Sequence, residues 1–197
     1  SDEKAVICGC KQTERFIINF CNTVEYDGNI DIDFKLMTRG LTVAQVFGIG
    51  DMEPLQFKLD KLWLEVPLKK EFCSLYHMYL NSDMYFDDGT VKEKSLKSMS
   101  GKLPDKNFSL PFKPILWLGN EEYGLGWFAE NDRYWQSENE NKAIEVIHAE
   151  DKVILRIRLL DSQPRRWSGD ATKGYDTFRP LDFHFGFQAT PVKPFPQ

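Results

Sequence analysis

The amino-acid sequence predicts an all-β fold, an antiparallel β-sandwich with long inter-strand loops. Apolar and polar residues alternate with a period of two in several segments, as they do in strands that bury one face. Fifteen Phe, seven Tyr and five Trp also favour strands, because flat, bulky side chains fit a pleated surface. No stretch has the clear periodicity of an amphipathic helix. About nine or ten strands are therefore expected.

Four segments alternate most clearly, and each is expected to bury one face and expose the other: 30–36, 62–68, 153–159 and 183–187. Further strands are expected at 16–20, 72–80, 115–118, 125–130 and 143–148. Turn signals separate these segments, namely Asp27-Gly28-Asn29, Asp88-Gly89, Gly119-Asn120 and Glu150-Asp151. The longest irregular connections are expected at 81–108 and 162–180, and loops of this length are either disordered or shape a binding surface.

The charge pattern argues against two classes of partner. The net charge is −5, and the basic residues are spread along the chain. A nucleic-acid-binding protein needs a concentrated basic surface to displace counterions from phosphates, so no nucleic-acid partner is expected. No apolar run approaches the ~20 residues that span a bilayer, so no membrane span is expected.

The four cysteines are Cys8, Cys10, Cys21 and Cys73. The favoured interpretation is four free thiols packed as small apolar residues. A bridge between Cys8 and Cys10 would be strained, and a bridge from Cys73 to Cys10 or Cys21 is the alternative. No second cysteine pair and no histidine at ligand spacing accompany them, so neither a metal nor a cofactor is expected.

A block with three tryptophans lies between residues 111 and 135. Segments 115–118 and 125–130 are predicted to form a hairpin, with 119–124 as its connection and a glycine at each end of that connection. Trp117 and Trp127 fall inside the two strands and are expected to fill core or inter-sheet volume.

Three aromatic residues are candidate ligand-binding residues: Tyr134, Trp135 and Trp167. They lie in polar segments, where a ring presented to solvent would stack on the apolar face of a sugar. The alternative is that each ring covers a sheet edge or contacts a neighbouring domain.

No catalytic residue is predicted in this chain. The acids of the tryptophan block are Glu121, Glu122, Glu130 and Asp132, and their adjacency in sequence does not establish the carboxylate separation that a glycosidase needs. The histidines are isolated on predicted strands, which is typical of ordinary half-buried or exposed residues: His77, His148 and His184. The sequence also has no nucleophile elbow, phosphate-binding glycine loop or zinc-protease motif.

The sequence PILWLGNEEYGLGWFAEND, at 114–132, resembles the N-terminal domain of glycoside hydrolase family 123-like proteins. FGFQATPVKP, at 185–194, resembles the closing segment of that domain. The resemblance covers the chain from Phe16 onward, although its first hundred residues match in pattern alone. It implies a β-sandwich that precedes a (β/α)₈ barrel in enzymes acting on N-acetylhexosaminides, typically N-acetylgalactosamine. In such enzymes the substrate's own acetamido group is the nucleophile.

The resemblance also implies the organisation of the chain and its partners. Residues 1–14 are expected to be a mobile N-terminus, 15–190 the β-sandwich, and 191–197 the proline-rich start of a linker to a catalytic barrel of the same polypeptide. The catalytic Asp-Glu pair belongs to the barrel, and the only such dipeptide here is Asp2-Glu3. Glycans are a further expected partner, and a periplasmic or extracellular location is implied.

The main competing interpretation is a stand-alone carbohydrate-binding module, which would present its aromatic rings on an open face. A small complete enzyme and a sandwich unrelated to sugars are two more hypotheses that the sequence leaves open, since sandwiches support many unrelated functions.

Overall fold

Two antiparallel sheets packed together form a β-sandwich. The computed structural model describes residues 4–39, 56–78, 84–92, 99–130, 142–161, 165–168 and 180–192, and of 56–58 and 165–168 it describes the backbone only. Within these ranges it contains sixteen strands and one short 3₁₀ helix, Lys70–Phe72. The predicted all-β sandwich is confirmed.

The strands are β1 (Lys4–Gln12), β2 (Phe16–Glu25), β3 (Asn29–Thr38), β4 (Gln56–Leu59), β5 (Leu62–Lys69), β6 (Leu75–Met78), β7 (Met84–Phe86), β8 (Val91–Lys92), β9 (Met99–Lys102), β10 (Phe108–Leu110), β11 (Ile115–Gly119), β12 (Gly124–Ala129), β13 (Ile144–His148), β14 (Lys152–Leu160), β15 (Arg165–Ser168) and β16 (Leu181–Thr190). The eight-stranded sheet has the order β1-β2-β3-β16-β12-β11-β6-β9. The six-stranded sheet has the order β5-β14-β13-β10-β7-β8, and β4 pairs separately with β15.

The core lies between the inner faces of the two large sheets, where one apolar side chain in every two points inward. The alternating residues of β14 and β16 contribute as predicted, because each is buried: Val153, Leu155, Ile157, Leu159, Phe183, Phe185 and Phe187. The largest completely buried side chains include Trp127, Tyr76 and Phe108. The predicted inward residues of β3 and β5 pack against the same core.

Two of the predicted turns contain a glycine in the left-handed region of φ, which is the conformation that favours glycine. Gly28 has a φ of 90° between β2 and β3, and Gly89 has a φ of 82° between β7 and β8. The predicted hairpin of the tryptophan block is also confirmed, since β11 pairs with β12 from Ile115–Phe128 to Gly119–Gly124.

The predicted N-terminal boundary is wrong. Residues 1–14 were expected to lie outside the sandwich, but β1 begins at Lys4 and pairs with β2 as far as Gln12. The pattern missed β1 because nearly all of its residues are exposed, so the strand has no buried face for an apolar pattern to mark. At the other end, β16 ends at Thr190, where the sandwich was expected to end. Residues 193–197 of the expected linker lie outside the described residues.

The two long connections also contain strands that were not predicted. The segment 81–108 includes β7, β8 and β9, and 162–180 includes β15. These strands have only two to four residues, which is too short for alternation to be visible.

The prediction of four free thiols is wrong as well. Cys8 and Cys21 form a disulfide across β1 and β2, whereas Cys10 and Cys73 are free. Neither alternative pairing with Cys73 occurs, because Cys73 is buried in the core cluster. The bonded pair depends on the register of two strands, which the cysteine spacing does not reveal.

Candidate functional site

Two of the three predicted ligand-binding residues lie outside the residues that the structure describes. Tyr134 and Trp135 fall outside the described residues. Trp167 lies in β15, where its backbone pairs with Phe57 of β4. These three candidates therefore remain predictions.

The outer face of the eight-stranded sheet, which points away from the six-stranded sheet, carries a tryptophan that was expected in the core. Leu116 and Leu118 of β11 are buried inward, so Trp117 between them points outward and is only half-buried. The prediction of a core position is thus wrong for Trp117. It is confirmed for Trp127, which has no exposed surface.

The ring of Trp117 lies directly over two glycines. A Cβ built on Gly124 would be 2.3 Å from both Cε2 and Cζ2 of the indole, and one on Gly119 would be 2.3 Å from Cζ2. The indole Nε1 donates a hydrogen bond to Thr190 Oγ1 at 3.0 Å. The ring is therefore held over the backbone of two opposed residues, and its orientation is fixed by β16.

Phe128 lies against a glycine on the same outer face in a similar way. A Cβ on Gly186 would be 2.3 Å from Cζ of Phe128 and 2.6 Å from the carbonyl oxygen of Ile30. Phe128 pairs across the hairpin with Ile115, whose side chain is 44% exposed. Together Ile115, Trp117 and Phe128 form what we call the aromatic face.

Polar groups border the aromatic face. Gln188 lies opposite Gly126 and donates through Nε2 to the carbonyl oxygens of Asp27 and Ala189. His77 lies opposite Trp117, and its Nδ1 is 2.7 Å from Ser100 Oγ. An apolar surface with hydrogen-bonding groups at its border suits either a protein partner or a sugar ring.

A histidine lies between two acids farther along this outer face. His184 Nδ1 is 3.3 Å from Glu130 Oε2, and His184 Nε2 is 3.8 Å from Asp33 Oδ1. Both carboxylates are mostly exposed, so these contacts resemble ordinary surface ion pairs. Neither carboxylate lies in the enclosed, solvent-protected position typical of a catalytic acid.

One end of the sandwich contains a cleft of about 1310 Å³ beside the β11–β12 turn. Asn120 shapes this turn: its Oδ1 accepts hydrogen bonds from the backbone N–H groups of Glu122 and Tyr123 at 2.9 and 2.7 Å. Asn120 Nδ2 donates to the carbonyl oxygen of Glu71 at 3.3 Å, which ties the turn to the 3₁₀ helix. Beside the cleft, Phe72 and Tyr123 meet edge to face, with ring centroids 5.8 Å apart.

The cleft has polar walls, but its carboxylates do not converge under protection from solvent. Glu121 and Glu122 are exposed, as expected for acids in a turn. Cys73, which lines the cleft, is buried, and burial raises the pKa of its thiol to about 11. A thiol that stays protonated at neutral pH is a poor nucleophile, so Cys73 is not suited to covalent catalysis.

The outer face of the six-stranded sheet carries a second polar cluster, centred on Trp63. The guanidinium carbons of Arg156 and Arg158 lie 4.5 and 5.0 Å from the centroid of its ring. Both arginines bind Glu145, at 3.3 and 2.9 Å, and Arg158 also binds Asp161. Arg156 further binds Glu65 at 2.7 Å. Because the acids and bases largely neutralise one another, we interpret this cluster as structural.

The described part of the chain contains no group of three or more His, Cys, Asp or Glu side chains arranged to hold a metal ion. None of its helices has the length and apolar character needed to cross a membrane.

Comparison with known proteins finds no matching family model and no matching curated protein. The aromatic face and the motif at 114–132 are therefore the features that bear on the function of this chain.

Proposed function

We propose that this chain is a non-catalytic N-terminal β-sandwich domain of a glycoside hydrolase, resembling an N-acetylhexosaminidase, and that it supports a C-terminal catalytic barrel of the same polypeptide. The aromatic face is the observation that carries this proposal. It is a rigid, largely apolar surface on the outer side of a sheet, and such surfaces typically contact another domain or molecule.

The motif that resembles the glycoside hydrolase domain also builds this face. Gly119 and Gly124 of the motif provide the space for Trp117, and the motif contributes Phe128 as well. Glycines inside strands often mark places where another group must approach the backbone closely. The unusual composition of the motif is thus explained by the surface that it forms.

A non-catalytic role fits the acids of the same motif. Glu121 and Glu122 are exposed in the hairpin turn, and Glu130 contacts His184 at the surface. Glycoside hydrolysis needs one carboxyl group that stays protonated near neutral pH, and burial is the usual way to achieve this. Surface acids of this kind are better suited to solubility than to proton transfer.

The aromatic face also favours a second candidate, a carbohydrate-binding module. An indole beside Gln188, Thr190 and His77 offers both a stacking surface and hydrogen-bonding groups for a sugar. The two candidates differ in what contacts Trp117: a barrel of the same polypeptide in the first, a free glycan in the second.

Two measurements test the leading proposal: the enzymatic activity of the chain alone and of the longer polypeptide, and the thermal stability of two matched variants of the longer polypeptide. The coding sequence beyond Gln197 is read first, and the chain is then produced alone and together with any barrel it encodes. The chain alone should not hydrolyse a chromogenic N-acetylgalactosaminide, whereas the longer polypeptide should. Ile115→Asp places a charge on the aromatic face and should lower the thermal stability of the longer polypeptide. Val91→Asp is the control, because Val91 is 49% exposed but lies on the other sheet.

Two results would contradict the leading proposal: turnover by the 197 residues alone, or equal effects of the two substitutions in the longer polypeptide. Calorimetric titration of the chain with N-acetylgalactosamine and larger glycans addresses the second candidate. A binding isotherm that disappears in Trp117→Ala but persists in Tyr123→Ala would favour the carbohydrate-binding module.

A further inference from the structure

Three cysteines share one face at the edge of the eight-stranded sheet. Cys8 lies directly opposite Cys21, with their Cα atoms 4.1 Å apart, and the two are bonded. Cys10 is two residues farther along β1, so its side chain points to the same face. It lies opposite Asn19, is exposed and is free. A free thiol therefore lies beside a disulfide on a solvent-facing surface.

The register of β1 on β2 determines which cysteine can bond to Cys21. In the present register Cys10 is a diagonal neighbour of Cys21, and diagonal Cα atoms are typically about 7–8 Å apart. A disulfide needs a shorter separation. If β1 moved by two residues, Cys10 would lie directly opposite Cys21 and Cys8 opposite Thr23. A shift of two residues keeps every side chain on its own face, since the period of a strand is two.

One contact opposes that shift. Gly9 lies opposite Phe20, and a Cβ built on Gly9 would be 2.4 Å from Cζ of the Phe20 ring. The ring thus occupies space that only a glycine leaves open. After the shift, Lys11 would lie opposite Phe20 and the ring would lose this space.

The turn between β1 and β2 also favours the present register. Thr13 N–H donates to the carbonyl oxygen of Phe16 at 2.8 Å, and Thr13 Oγ1 accepts from the N–H groups of Arg15 and Phe16 at 3.3 and 2.9 Å. The side chains of β1 add little, since Gly9 is the only residue of β1 that is not exposed. Apart from backbone pairing, this turn, the contact between Gly9 and Phe20 and the disulfide distinguish the register from one displaced by two residues.

We propose that Cys8, Cys10 and Cys21 form a thiol–disulfide exchange site in which the register of β1 selects the bonded pair. The Cys10 thiolate attacks Sγ of Cys21. The bond between Cys10 and Cys21 forms as the bond between Cys8 and Cys21 breaks, and Cys8 leaves as a thiolate that takes up the proton lost by Cys10. The exchange consumes neither oxidant nor reductant. β1 moves by two residues, roughly 7 Å, and displays Cys8 in place of Cys10 as the free thiol.

Differential alkylation tests this proposal on the intact chain. Free thiols are labelled at pH 8 without reductant, and the disulfide is then reduced and labelled with a heavy form of the same reagent. Trypsin releases residues 5–11 as one peptide, and its fragment ions show which cysteine carries the light label. In the wild-type protein the light label should be mainly on Cys10.

Two variants weaken the contact that holds the register. Gly9→Ala forces the Phe20 ring away, and Phe20→Ala removes it. In Gly9→Ala the light label on Cys8 should rise about fivefold or more, the factor that corresponds to an overpacking cost of ~1 kcal/mol. Phe20→Ala should also raise the light label on Cys8, and it replaces Gly9→Ala as the test if Gly9→Ala fails to fold. Gly101→Ala is the control, because a Cβ there would be 3.7 Å from its nearest neighbour, Cε1 of Tyr76.

A further variant tests the identity of the nucleophile. In Gly9→Ala combined with Cys10→Ser, the light label on Cys8 should disappear, since only the bond between Cys8 and Cys21 can then form. The proposal is overturned if Cys8 stays unlabelled in both register variants. It is also overturned if all three cysteines take the light label in the wild-type protein, because no disulfide would then exist to exchange.

Discussion

The indole of Trp117 occupies the space that a side chain at Gly124 would need. A Cβ at Gly124 would lie 2.3 Å from two atoms of the ring and 2.4 Å from its Nε1, and these distances are shorter than any normal contact. Both residues belong to the hairpin of the tryptophan block, so a local sequence motif determines how the outer face of the sheet is built. The residue at position 124 therefore controls the orientation of Trp117.

Gly124→Ala should destabilise the protein by about 1–3 kcal/mol, because the added methyl group must displace the indole and break its hydrogen bond to Thr190. Urea denaturation measures this as a lower midpoint with an unchanged slope. Gly101→Ala, which has room for a methyl group, should change stability by less than about 0.5 kcal/mol. If Trp117→Ala is added to Gly124→Ala, the combined loss should be smaller than the sum of the two single losses.

Arg158→Met should destabilise the protein by about 3 kcal/mol, because it leaves the carboxylate of Asp161 without its main partner in a buried position. The Asp161 side chain is only 1% exposed, and its other cation, Lys61, is 3.9 Å away. Lys35→Met is the matched control, since the ion pair between Lys35 and Asp182 is exposed and should contribute at most about 1 kcal/mol. Equal effects in thermal or urea unfolding would contradict a structural role for this cluster.

Cys73 should resist alkylation at pH 8 in the folded protein and react only after unfolding, whereas Cys10 should react in both states. Burial raises the pKa of the Cys73 thiol from 9.0 to about 11, so the folded state retains this proton at a pH where the unfolded chain loses it. The resulting stability is fully present below pH 9 and is lost as the pH rises to about 11. Cys73→Ala should lack this alkaline loss, which should amount to roughly 2 kcal/mol. If the stability of the wild-type protein and of Cys73→Ala declined equally at alkaline pH, the Cys73 thiol would not be the cause of the decline.

Asp88 should titrate well below the ordinary range of an aspartate. The hydrogen bond from Lys106 lowers the pKa of its carboxyl group most, and hydrogen bonds from the side chain and backbone of Thr90 add to this effect. Its contribution to stability is therefore present above the unfolded pKa, near 4, and is lost as the pH falls through the folded pKa.

An NMR titration of the carboxyl carbons measures the midpoint of Asp88 directly. Lys106→Met should raise that midpoint toward the ordinary value, whereas Lys102→Met should leave it unchanged, because Lys102 belongs to the other large sheet and is not among the groups that lower the pKa of Asp88. An unchanged midpoint in Lys106→Met would show that Lys106 is not the main cause of the depressed pKa.

Alternation along the chain was sufficient to predict the long strands that bury one face, but it missed the exposed edge strand β1. Every second residue is buried from Val153 to Leu159 in β14 and from Leu181 to Phe187 in β16, so one face of each strand can be identified from sequence order alone. The short strands β7, β8 and β9 could not be found in this way, because two to four residues do not complete a recognisable pattern. Their pairing comes from the neighbouring strands of the sheet.

The candidate site was only partly predictable. The sequence identified the tryptophan block as unusual and its connection as a hairpin, and the hairpin is confirmed. It did not indicate that the side chains of Trp117 and Trp127 point to opposite faces of the sheet. The two residues are ten positions apart and lie on adjacent strands. That follows from the register of the hairpin, in which Trp127 lies opposite the inward-pointing Leu116.

The sequence by itself determined the class of fold, the position of the long strands with one buried face and most of the apolar residues that form the core, because burial of one face leaves a periodic trace along a strand. The tertiary structure alone decided which cysteines bond and which tryptophan faces outward. These properties depend on the registers between strands that are distant in the chain, as between Cys8 and Cys21 or between Gly124 and Thr190. A register is set by packing across the whole sheet, and the local order of residues carries little record of it.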